Sequence, residues 1–392
     1  MRLYKYILPL LAAVMTACSE NDNKGSEPEP PAPPVPEVPT PDNPDKPDTP
    51  GTVAFDVMPV NPSATDEVKK VYAMLLDRSG KEIISGAMAN VNNNNDFAGW
   101  VDKTTGKYPA LTGYDFIHLP ESPANWIDYS DITSAREQWT NGGLVTYMWH
   151  WRAPDSEEAY NNRDTGKYGF NITGPDGTSF DIREALKEGT WQHRFILEDM
   201  DKVAAYLKIL ANAGIPVIWR PLHEAAGSYQ YGAWFWWGRY GDTYTAELWR
   251  LMYDRLVRHH GLNNLIWVWT AQYQEGYGDR MKGSYPGDEY VDIVGVDLYE
   301  KNTGSQTGAY KAALDMTGGK KLVALSECGL IPDPQKCMSE SAPWAWFMLW
   351  YTYDIHKNGA TTDGFGNTSV WLREVMNSPL VLTRSSMGQY LK

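Results

Sequence analysis

Short apolar runs recur along the chain, and polar or glycine-rich segments separate them. Eight runs can be recognised: Ile83 to Met88, Leu111 to Ile117, Leu144 to Trp149, Ile215 to Trp219, Leu265 to Trp269, Val291 to Val296, Leu322 to Leu325 and Ala345 to Leu349. Continuous apolar runs of this length are typical of strands that are buried on both faces, as in a parallel sheet. The pattern therefore predicts eight buried strands.

Segments with helical periodicity lie between these runs. A helix is predicted from Leu197 to Ala213, where Val203, Leu207 and Leu210 fall on one face and a glycine follows. A second is predicted from Tyr244 to His260, again ending before a glycine. Strands that alternate with helices indicate an α/β fold, and eight such units predict a (β/α)8 TIM barrel.

Two segments depart from the simple alternation. A helix from Asp66 to Asp77, capped by Thr65, precedes the first strand and is predicted to cover the bottom of the barrel. Most strand starts are about 30 residues apart, and the largest interval, about 70 residues, separates the third start from the fourth. Within that interval, Pro154 to Gly189 is rich in Gly, Asn, Asp and Tyr and is predicted as a long loop.

The first 17 residues have the features of an export signal. Arg2 and Lys5 are positively charged, and the apolar run Ile7 to Val14 is far shorter than the roughly 20 residues of a membrane-spanning helix. Met15-Thr16-Ala17-Cys18 resembles a bacterial lipoprotein processing box, although Met15 replaces the usual leucine. We therefore predict a signal peptide at residues 1–17 and a lipidated Cys18, with simple secretion as the alternative.

Residues 18–51 form a predicted linker. They are acidic, and eleven prolines lie between Pro28 and Pro50. This composition favours a semi-rigid spacer without a core of its own. The order of the segments predicts an exported lipoprotein with one folded domain, residues 52–392. The lipid on Cys18 would be the protein's only contact with the membrane. It would anchor the protein at the outer membrane, on the cell surface or the periplasmic face.

The composition narrows the range of partners. The formal net charge is −14, which argues against nucleic acid because phosphate binding needs a basic face. The chain has 17 Trp and 24 Tyr but only 9 Phe, and aromatic rings with a polar edge suit the apolar face of a sugar. No cluster of residues suggests an obligatory metal or cofactor, and a monomer is expected.

Two cysteines remain after Cys18. Cys328 and Cys337 lie nine positions apart. In an exported protein such a pair can close a small disulfide loop. Two free buried thiols are the alternative, and the sequence favours neither.

Two predicted strands end in a glutamate. The fourth runs into Arg220-Pro221-Leu222-His223-Glu224, and the seventh runs into Ser326-Glu327. On a barrel, polar residues at the C-terminal ends of strands point into the active site, so the two glutamates can face each other. A single glutamate there is often a salt-bridged rim residue. Retaining glycosidases, however, need two carboxylates about 5 to 5.5 Å apart, and the pair favours this interpretation.

The two glutamates need different pKa values, because the acid must be protonated at neutral pH and the nucleophile ionised. Glu224, beside His223 and near a tryptophan-rich segment, is predicted to be the general acid/base with a raised pKa. Glu327 is predicted to be the nucleophile, held ionised by hydrogen-bond donors around it.

The residues around Glu224 resemble a known family. Trp219-Arg220-Pro221-Leu222-His223-Glu224, followed by Trp234-Phe235-Trp236-Trp237-Gly238, is similar to the motif of glycoside hydrolase family 26. The resemblance extends from about Lys81 to Tyr351 and implies a retaining (β/α)8 enzyme of a family dominated by β-mannanases. It also implies Glu224 as acid/base and, through Leu325-Ser326-Glu327-Cys328-Gly329, Glu327 as nucleophile.

The same resemblance implies further residues of the site. The substrate-binding set is His150, His223, Trp234, Tyr299, Trp350 and Arg220. In that set Tyr299 matches a tyrosine that orients the nucleophile, and His150 a histidine that contacts the sugar in subsite −1. Trp234 matches the aromatic residue on the leaving-group side, and Trp350 the platform beneath the −1 sugar. Asp115 is similar to a family position to which no role is assigned.

The chain departs from the family pattern in two places. Nine residues separate Glu224 from Trp234, which is longer than the expected tight loop, and Tyr351 stands where some mannanases of the family have arginine. The first departure bears on which tryptophan stacks on the sugar, and the second on the contacts at subsite −2.

The predicted function is that of an endo-acting or mannobiose-releasing β-1,4-mannanase with net retention, acting on mannan, glucomannan or galactomannan. One alternative is a family member acting on β-1,3-xylan or mixed-linkage glucan, and another is a non-catalytic glycan-binding surface lipoprotein. Other chemistries are disfavoured. A zincin would need a histidine where Gly227 stands, and there is no G-x-S-x-G elbow.

Overall fold

Eight parallel strands close into a barrel in the computed structural model, which describes residues 55–163, 166–227, 232–271, 282–353, 355 and 359–391. The strands are β1 (Ile83–Met88), β2 (Leu111–Asp115), β3 (Leu144–Met148), β4 (Val217–Arg220), β5 (Leu265–Ala271), β6 (Ile293–Leu298), β7 (Leu322–Cys328) and β8 (Trp346–Leu349). Each pairs with the next, and β8 pairs with β1, where Trp346 lies opposite Ile84. The predicted (β/α)8 TIM barrel is confirmed.

The described residues belong to one compact unit, Thr52–Lys392. The predicted signal peptide, Cys18 and the proline-rich linker lie outside the described residues, so these stay predictions. In the part of the chain that is described, no helix combines the length and the apolar character needed to cross a bilayer.

Burial explains why the apolar runs became strands. Every residue of β1 to β4 and of β6 to β8 is buried, which matches the continuous apolar pattern of a sheet covered on both faces. The strand ends differ slightly from the prediction. β4 begins at Val217 rather than Ile215, because Pro216 has no N–H to donate to the ladder. β7 extends to Cys328, so Glu327 lies within the strand.

Helices surround the barrel. The described α-helices are α1 (Asp66–Arg78), α2 (Asp96–Thr105), α3 (Thr133–Thr140), α4 (Glu157–Asn161), α5 (Ile182–Ala185), α6 (Trp191–Asn212), α7 (Asp242–Tyr253), α8 (Thr307–Met316), α9 (Pro334–Ser339), α10 (Ser369–Met376) and α11 (Arg384–Met387). Short 3-10 helices lie at Trp236–Gly238 and Asp288–Tyr290. A short strand, Val381–Leu382, pairs with the start of β1.

The predicted helices are present with shifted ends. Helix α6 begins at Trp191, six residues before the predicted start, because the side chain of Thr190 caps it by accepting the N–H of His193. The segment predicted as one helix from Tyr244 to His260 is divided, since α7 ends at Tyr253 and a π-helix, Asp254–His259, continues it.

The connection between β3 and β4 is more ordered than predicted. The segment Pro154 to Gly189 is predicted as a loop, but it contains α4 and α5. A two-residue strand at its start, Ala153–Pro154, pairs with a second short strand, Tyr168–Gly169. Apolar residues within it, such as Phe180 and Ile182, are buried. The segment is so rich in glycine and polar residues that its few buried apolar residues did not stand out in the sequence.

Helix α1 lies where the strands begin. The backbone N–H of its cap, Thr65, donates to the carbonyl of Asn263, two residues before the start of β5. Val68, Val71 and Leu75 of α1 are buried. These contacts agree with the predicted cover at the bottom of the barrel.

The two cysteines of the folded part are not bridged. Cys328, at the end of β7, and Cys337, in α9, are both free and buried. Of the two interpretations that the sequence left open, the structure supports two free buried thiols. Burial raises the pKa of the Cys337 thiol to about 12, so it stays protonated and unreactive at neutral pH.

Candidate active site

The two predicted glutamates lie together at the C-terminal end of the barrel. Glu224 follows β4 and Glu327 lies near the end of β7. With Asp297, from β6, they form a group in which one oxygen of each carboxylate lies within 4.8 Å of one from each of the others. Two glutamates on non-adjacent strands therefore meet above the barrel core, as the strand pattern predicted.

Glu224 lies in a turn with unusual backbone angles. Leu222 and Glu224 both have φ near +50°, in the left-handed region that side chains other than glycine rarely adopt. The turn is anchored on both sides, because the indole N–H of Trp237 donates to the carbonyl of His223 at 2.9 Å and the N–H of Gly227 donates to that of Glu224 at 3.0 Å. Residues held in such conformations cluster at functional sites.

The environment of Glu224 favours its protonated form. The residue is 8 % exposed, and the indole N–H of Trp234 donates to its Oε2 at 2.8 Å. Burial raises the pKa of Glu224 well above its usual value, and the neighbouring carboxylates of Asp297 and Glu327 raise it further. A carboxyl group that keeps its proton near neutral pH can act as a general acid.

The environment of Glu327 is different. The residue is 3 % exposed, and both of its oxygens accept hydrogen bonds, Oε1 from Nη2 of Arg220 and Oε2 from the hydroxyl of Tyr299 at 2.6 Å. The guanidinium group is a charged donor, and hydrogen bonds of this kind are stronger than those from neutral donors. The ring of Tyr299 is 38 % exposed, while desolvation of its hydroxyl raises its pKa.

Asp297 is a residue of this group that the sequence analysis did not single out. Nη1 of Arg220 donates to its Oδ2 at 2.9 Å, and the hydroxyl of Ser326 donates to its Oδ1 at 2.7 Å. Burial raises its pKa to about 7, with Glu327 also raising it and Arg220 opposing the rise. The signal that could have identified Asp297 was present, because it too is a polar residue at the end of an apolar strand.

Two histidines lie beside the turn that carries Glu224. His150 follows β3, and its Nε2 is 3.2 Å from Nε2 of His223. The ring of His150 also makes an edge contact with the ring of Trp350, with centroids 6.0 Å apart. His150, His223 and Trp350 thus lie together, and Asp115 contacts His150 from β2.

A model of one sequence family matches residues 60–384 of the chain and is described as glycosyl hydrolase family 26. This match covers most of the sequence and includes every site residue described above. The chain belongs to glycosyl hydrolase family 26.

Two curated proteins resemble the chain in sequence. Mannan endo-1,4-β-mannosidase B of Piromyces sp. is 36 % identical over 312 residues, covering 78 % of this chain and 50 % of that protein. A mannan endo-1,4-β-mannosidase of Thermothelomyces thermophilus is 35 % identical over 335 residues, covering 84 % of this chain and 61 % of that protein. The chain thus spans about half the length of the Piromyces relative.

Two solved structures resemble the chain in fold. One is a β-mannanase from a symbiotic protist of the termite Reticulitermes speratus, complexed with gluco-manno-oligosaccharide. It is 32 % identical with a TM-score of 0.73, and the match covers 85 % of this chain and 98 % of that one. The family 26 domain of a Prevotella bryantii endo-β-mannanase/endo-β-glucanase is 36 % identical with a TM-score of 0.74, covering 85 % and 99 %.

The tryptophan-rich segment of this family 26 chain contributes one partly exposed ring. Trp234 is half-buried, whereas Phe235, Trp236 and Trp237 are buried in the core. Gly238 ends the segment because a Cβ there would lie 1.9 Å from the carbonyl oxygen of Ala225. The segment therefore packs directly against the turn that carries Glu224.

Two groups of side chains among the described residues could ligate a metal. Besides the three active-site carboxylates, Asp201, His259 and His260 offer ligand atoms within 4.8 Å of one another. In that second group, Asp201 already accepts two hydrogen bonds from Arg255 and one from His260. The carboxylate of Asp201 thus already forms an ion pair with Arg255.

Proposed function

We propose that the protein is a retaining glycoside hydrolase that cleaves β-1,4-mannosidic bonds in mannan, glucomannan or galactomannan. The observation that carries the proposal is the pair formed by Glu224 and Glu327, whose nearest oxygens lie within 4.8 Å of each other. Carboxyl groups about 5 Å apart suit direct attack on the anomeric carbon, whereas inverting enzymes need a wider gap that admits water.

The comparisons support mannan as the substrate. Relatives at 35 to 36 % identity are named as mannan endo-1,4-β-mannosidases. A structural neighbour that covers 85 % of the chain is a β-mannanase complexed with a gluco-manno-oligosaccharide.

In the first step, an oxygen of Glu327 attacks the anomeric carbon while Glu224 transfers its proton to the departing glycosidic oxygen. The glycosidic C–O bond breaks, a glycosyl ester forms on Glu327, and Glu224 is left as a carboxylate. Because its pKa is raised, Glu224 holds the proton that this step requires. Arg220 and Tyr299 orient the nucleophile through one hydrogen bond to each oxygen.

In the second step, the carboxylate of Glu224 takes a proton from water, and the resulting nucleophile attacks the same carbon from the opposite side. The ester bond to Glu327 breaks, and the configuration of the sugar is retained. Trp234 contacts Glu224 and Trp350 contacts His150, and the half-buried rings of both tryptophans offer apolar surfaces for sugars.

The proposal is tested by reducing-sugar release from linear mannan, glucomannan, galactomannan, β-1,3-xylan and mixed-linkage glucan. We expect release from the mannose-containing polymers, with the β-anomer formed first in NMR spectra of the fresh product. Release from the xylan or the mixed-linkage glucan alone would reassign the substrate. Glycan binding without release, both in the wild type and in Glu327→Ala, would instead indicate a binding protein.

We also propose that the protein is an exported lipoprotein, held at the outer membrane through Cys18. The proposal is supported by Arg2 and Lys5, by the apolar run Ile7 to Val14, and by the proline-rich segment that follows Cys18. In this arrangement the linker would separate the catalytic domain from the bilayer.

The lipid anchor is tested with Cys18→Ala in the full chain. We expect unchanged specific activity on mannan and a shift of the protein from the membrane fraction to the soluble fraction. Persistent recovery in the membrane fraction after a carbonate wash would contradict lipidation.

A further inference from the structure

Asp115 is a buried carboxylate at the end of β2 with no part in the steps above. It is 2 % exposed. Its Oδ1 accepts the backbone N–H of His150 at 3.0 Å, and its Oδ2 is 2.6 Å from Nδ1 of the same residue. Burying a carboxylate costs free energy unless partners compensate. Here both oxygens are used to hold one histidine.

The contacts define which nitrogen of His150 carries a proton. Burial acts to raise the pKa of Asp115, but the contacts with His150 outweigh it and the net pKa is lowered, so the group is a carboxylate. A carboxylate only accepts hydrogen bonds, and Nδ1 of His150 must therefore donate. The opposite nitrogen, Nε2, is thereby directed towards His223.

His150 in turn holds His223. The two Nε2 atoms are 3.2 Å apart, so one donates and the other accepts. Among the described residues, Nδ1 of His223 has no hydrogen-bond partner, so His150 provides the hydrogen bond to this ring, which also packs against Phe235 and Trp237. Burial lowers the pKa of His223 well below its usual value, and His150 and Arg220 lower it further, so the ring is neutral.

His223 lies between the two strained residues of the acid/base turn. Leu222 and Glu224, on either side of it, both have φ near +50°. A turn of this kind persists only when its surroundings over-determine it. The carbonyl of His223 is held by Trp237, and its ring is held by His150.

We propose that Asp115 is a positioning residue for the acid/base: through His150 it fixes the ring of His223, and with it the turn that presents Glu224 to the glycosidic oxygen. The inference rests on the proposed function. It assigns no contact with substrate to Asp115. It connects β2, β3 and the turn after β4 in one chain of hydrogen bonds.

The test is how far the activity of the Asp115→Asn variant depends on the leaving group of the substrate. Asparagine has the same shape as aspartate, but its side chain has one acceptor oxygen where Asp115 uses two to hold His150. Aryl β-mannobiosides with a phenyl or a 2,4-dinitrophenyl leaving group are compared by kcat/KM, which reports the first chemical step. A phenol needs the proton of Glu224, whereas dinitrophenolate departs without it. We expect a loss of about 100-fold on the phenyl substrate and of less than about 5-fold on the dinitrophenyl one.

Asp292→Asn is the matched control. Asp292 is also fully buried, and it accepts two backbone N–H groups, from Val60 at 2.6 Å and Trp267 at 2.7 Å, away from the acid/base turn. We expect this variant to lower thermal stability while changing kcat/KM of the two substrates by the same factor. An equal loss on both substrates in Asp115→Asn as well would overturn the proposal, because the effect would then be one of stability only.

A second variant keeps the proposal testable if Asp115→Asn does not fold. His150→Gln interrupts the same chain one step later, and it must show the same dependence on the leaving group. In the double variant the losses should not add, because both changes act through His223. Full additivity would contradict the proposal. If the wild type hydrolyses neither aryl mannobioside, the proposed function fails instead.

Discussion

The ends of β4 and β7 carry the same side chain in opposite settings. Glu224 has left its strand in a turn with a left-handed backbone, and one neutral indole N–H contacts it. Glu327 lies within its strand and receives two donors, one of them a charged guanidinium group. Burial raises the pKa of Glu224, while Glu327 accepts a charge-assisted hydrogen bond from Arg220.

Hydrogen-bond donors, rather than the depth of burial, distinguish the surroundings of Glu224 from those of Glu327. Both glutamates are buried, at 8 % and 3 % exposure. Arg220 belongs to β4, the same strand that leads to Glu224, yet its guanidinium contacts Glu327 and Asp297. Strand β4 thus provides the cation for Glu327, the proposed nucleophile on β7. In these contacts Glu224, which follows β4, has no ion-pair hydrogen bond.

The largest effects are expected when the two glutamates are removed one at a time. Glu327→Ala and Glu224→Ala should each lower kcat on mannan by roughly 10⁴-fold or more. Substrate binding, measured by affinity electrophoresis, should survive in both because the aromatic surfaces remain.

Azide distinguishes the two variants on a dinitrophenyl substrate. In Glu327→Ala the anion replaces the nucleophile and should give the α-glycosyl azide. In Glu224→Ala it attacks the covalent intermediate from the other face and should give the β-glycosyl azide. The reverse assignment of products would exchange the two roles.

Removing one donor from Glu327 is the next sharpest change. Tyr299→Phe removes the hydroxyl at 2.6 Å from Oε2. A hydrogen bond to a charged group contributes about 1.5 to 3 kcal/mol, so kcat should fall by about 10- to 150-fold. Tyr310→Phe is the control, since this buried tyrosine packs edge-on against Trp344. An equal fall in both variants would show that Tyr299 acts through stability alone.

Removing the neighbouring charge should shift the pH profile. Asp297 and Glu327 raise the pKa of Glu224, whereas Arg220 and the indole of Trp234 lower it. Asp297→Asn removes a negative charge, so Glu224 loses its proton more easily and the alkaline limb of kcat/KM should move to lower pH. A move to higher pH would contradict the assignment of that limb to Glu224.

The smallest effect is expected at the donor of Glu224. Trp234→Phe keeps an aromatic ring but removes the N–H that stabilises the carboxylate at 2.8 Å. The pKa of Glu224 should rise, so the alkaline limb should move to higher pH, opposite to the shift in Asp297→Asn. The neutral indole bond contributes only about 1 kcal/mol. An unchanged limb would show that this bond has no influence on the acid.

Much of the scaffold could be predicted because its signals are local. Most barrel strands contain a short, largely apolar run, such as Leu144 to Met148, and such a run is recognised from neighbouring residues alone. The positions of the two glutamates were predictable for the same reason, since Glu327 lies near the end of β7 and Glu224 lies four residues after β4. The order within Pro154 to Gly189 was missed because short elements anchored by a few buried residues have no periodicity to detect.

The sequence by itself determined the barrel, the end of the barrel that carries the chemistry, and the two glutamates, because strand pattern and strand end are properties of neighbouring residues. Only the tertiary structure decided which donors meet each carboxylate. Arg220 reaches Glu327 and Asp297, and Asp115 reaches His150, across separate strands. Such pairings depend on the register of a closed barrel, in which residues far apart in the chain become neighbours.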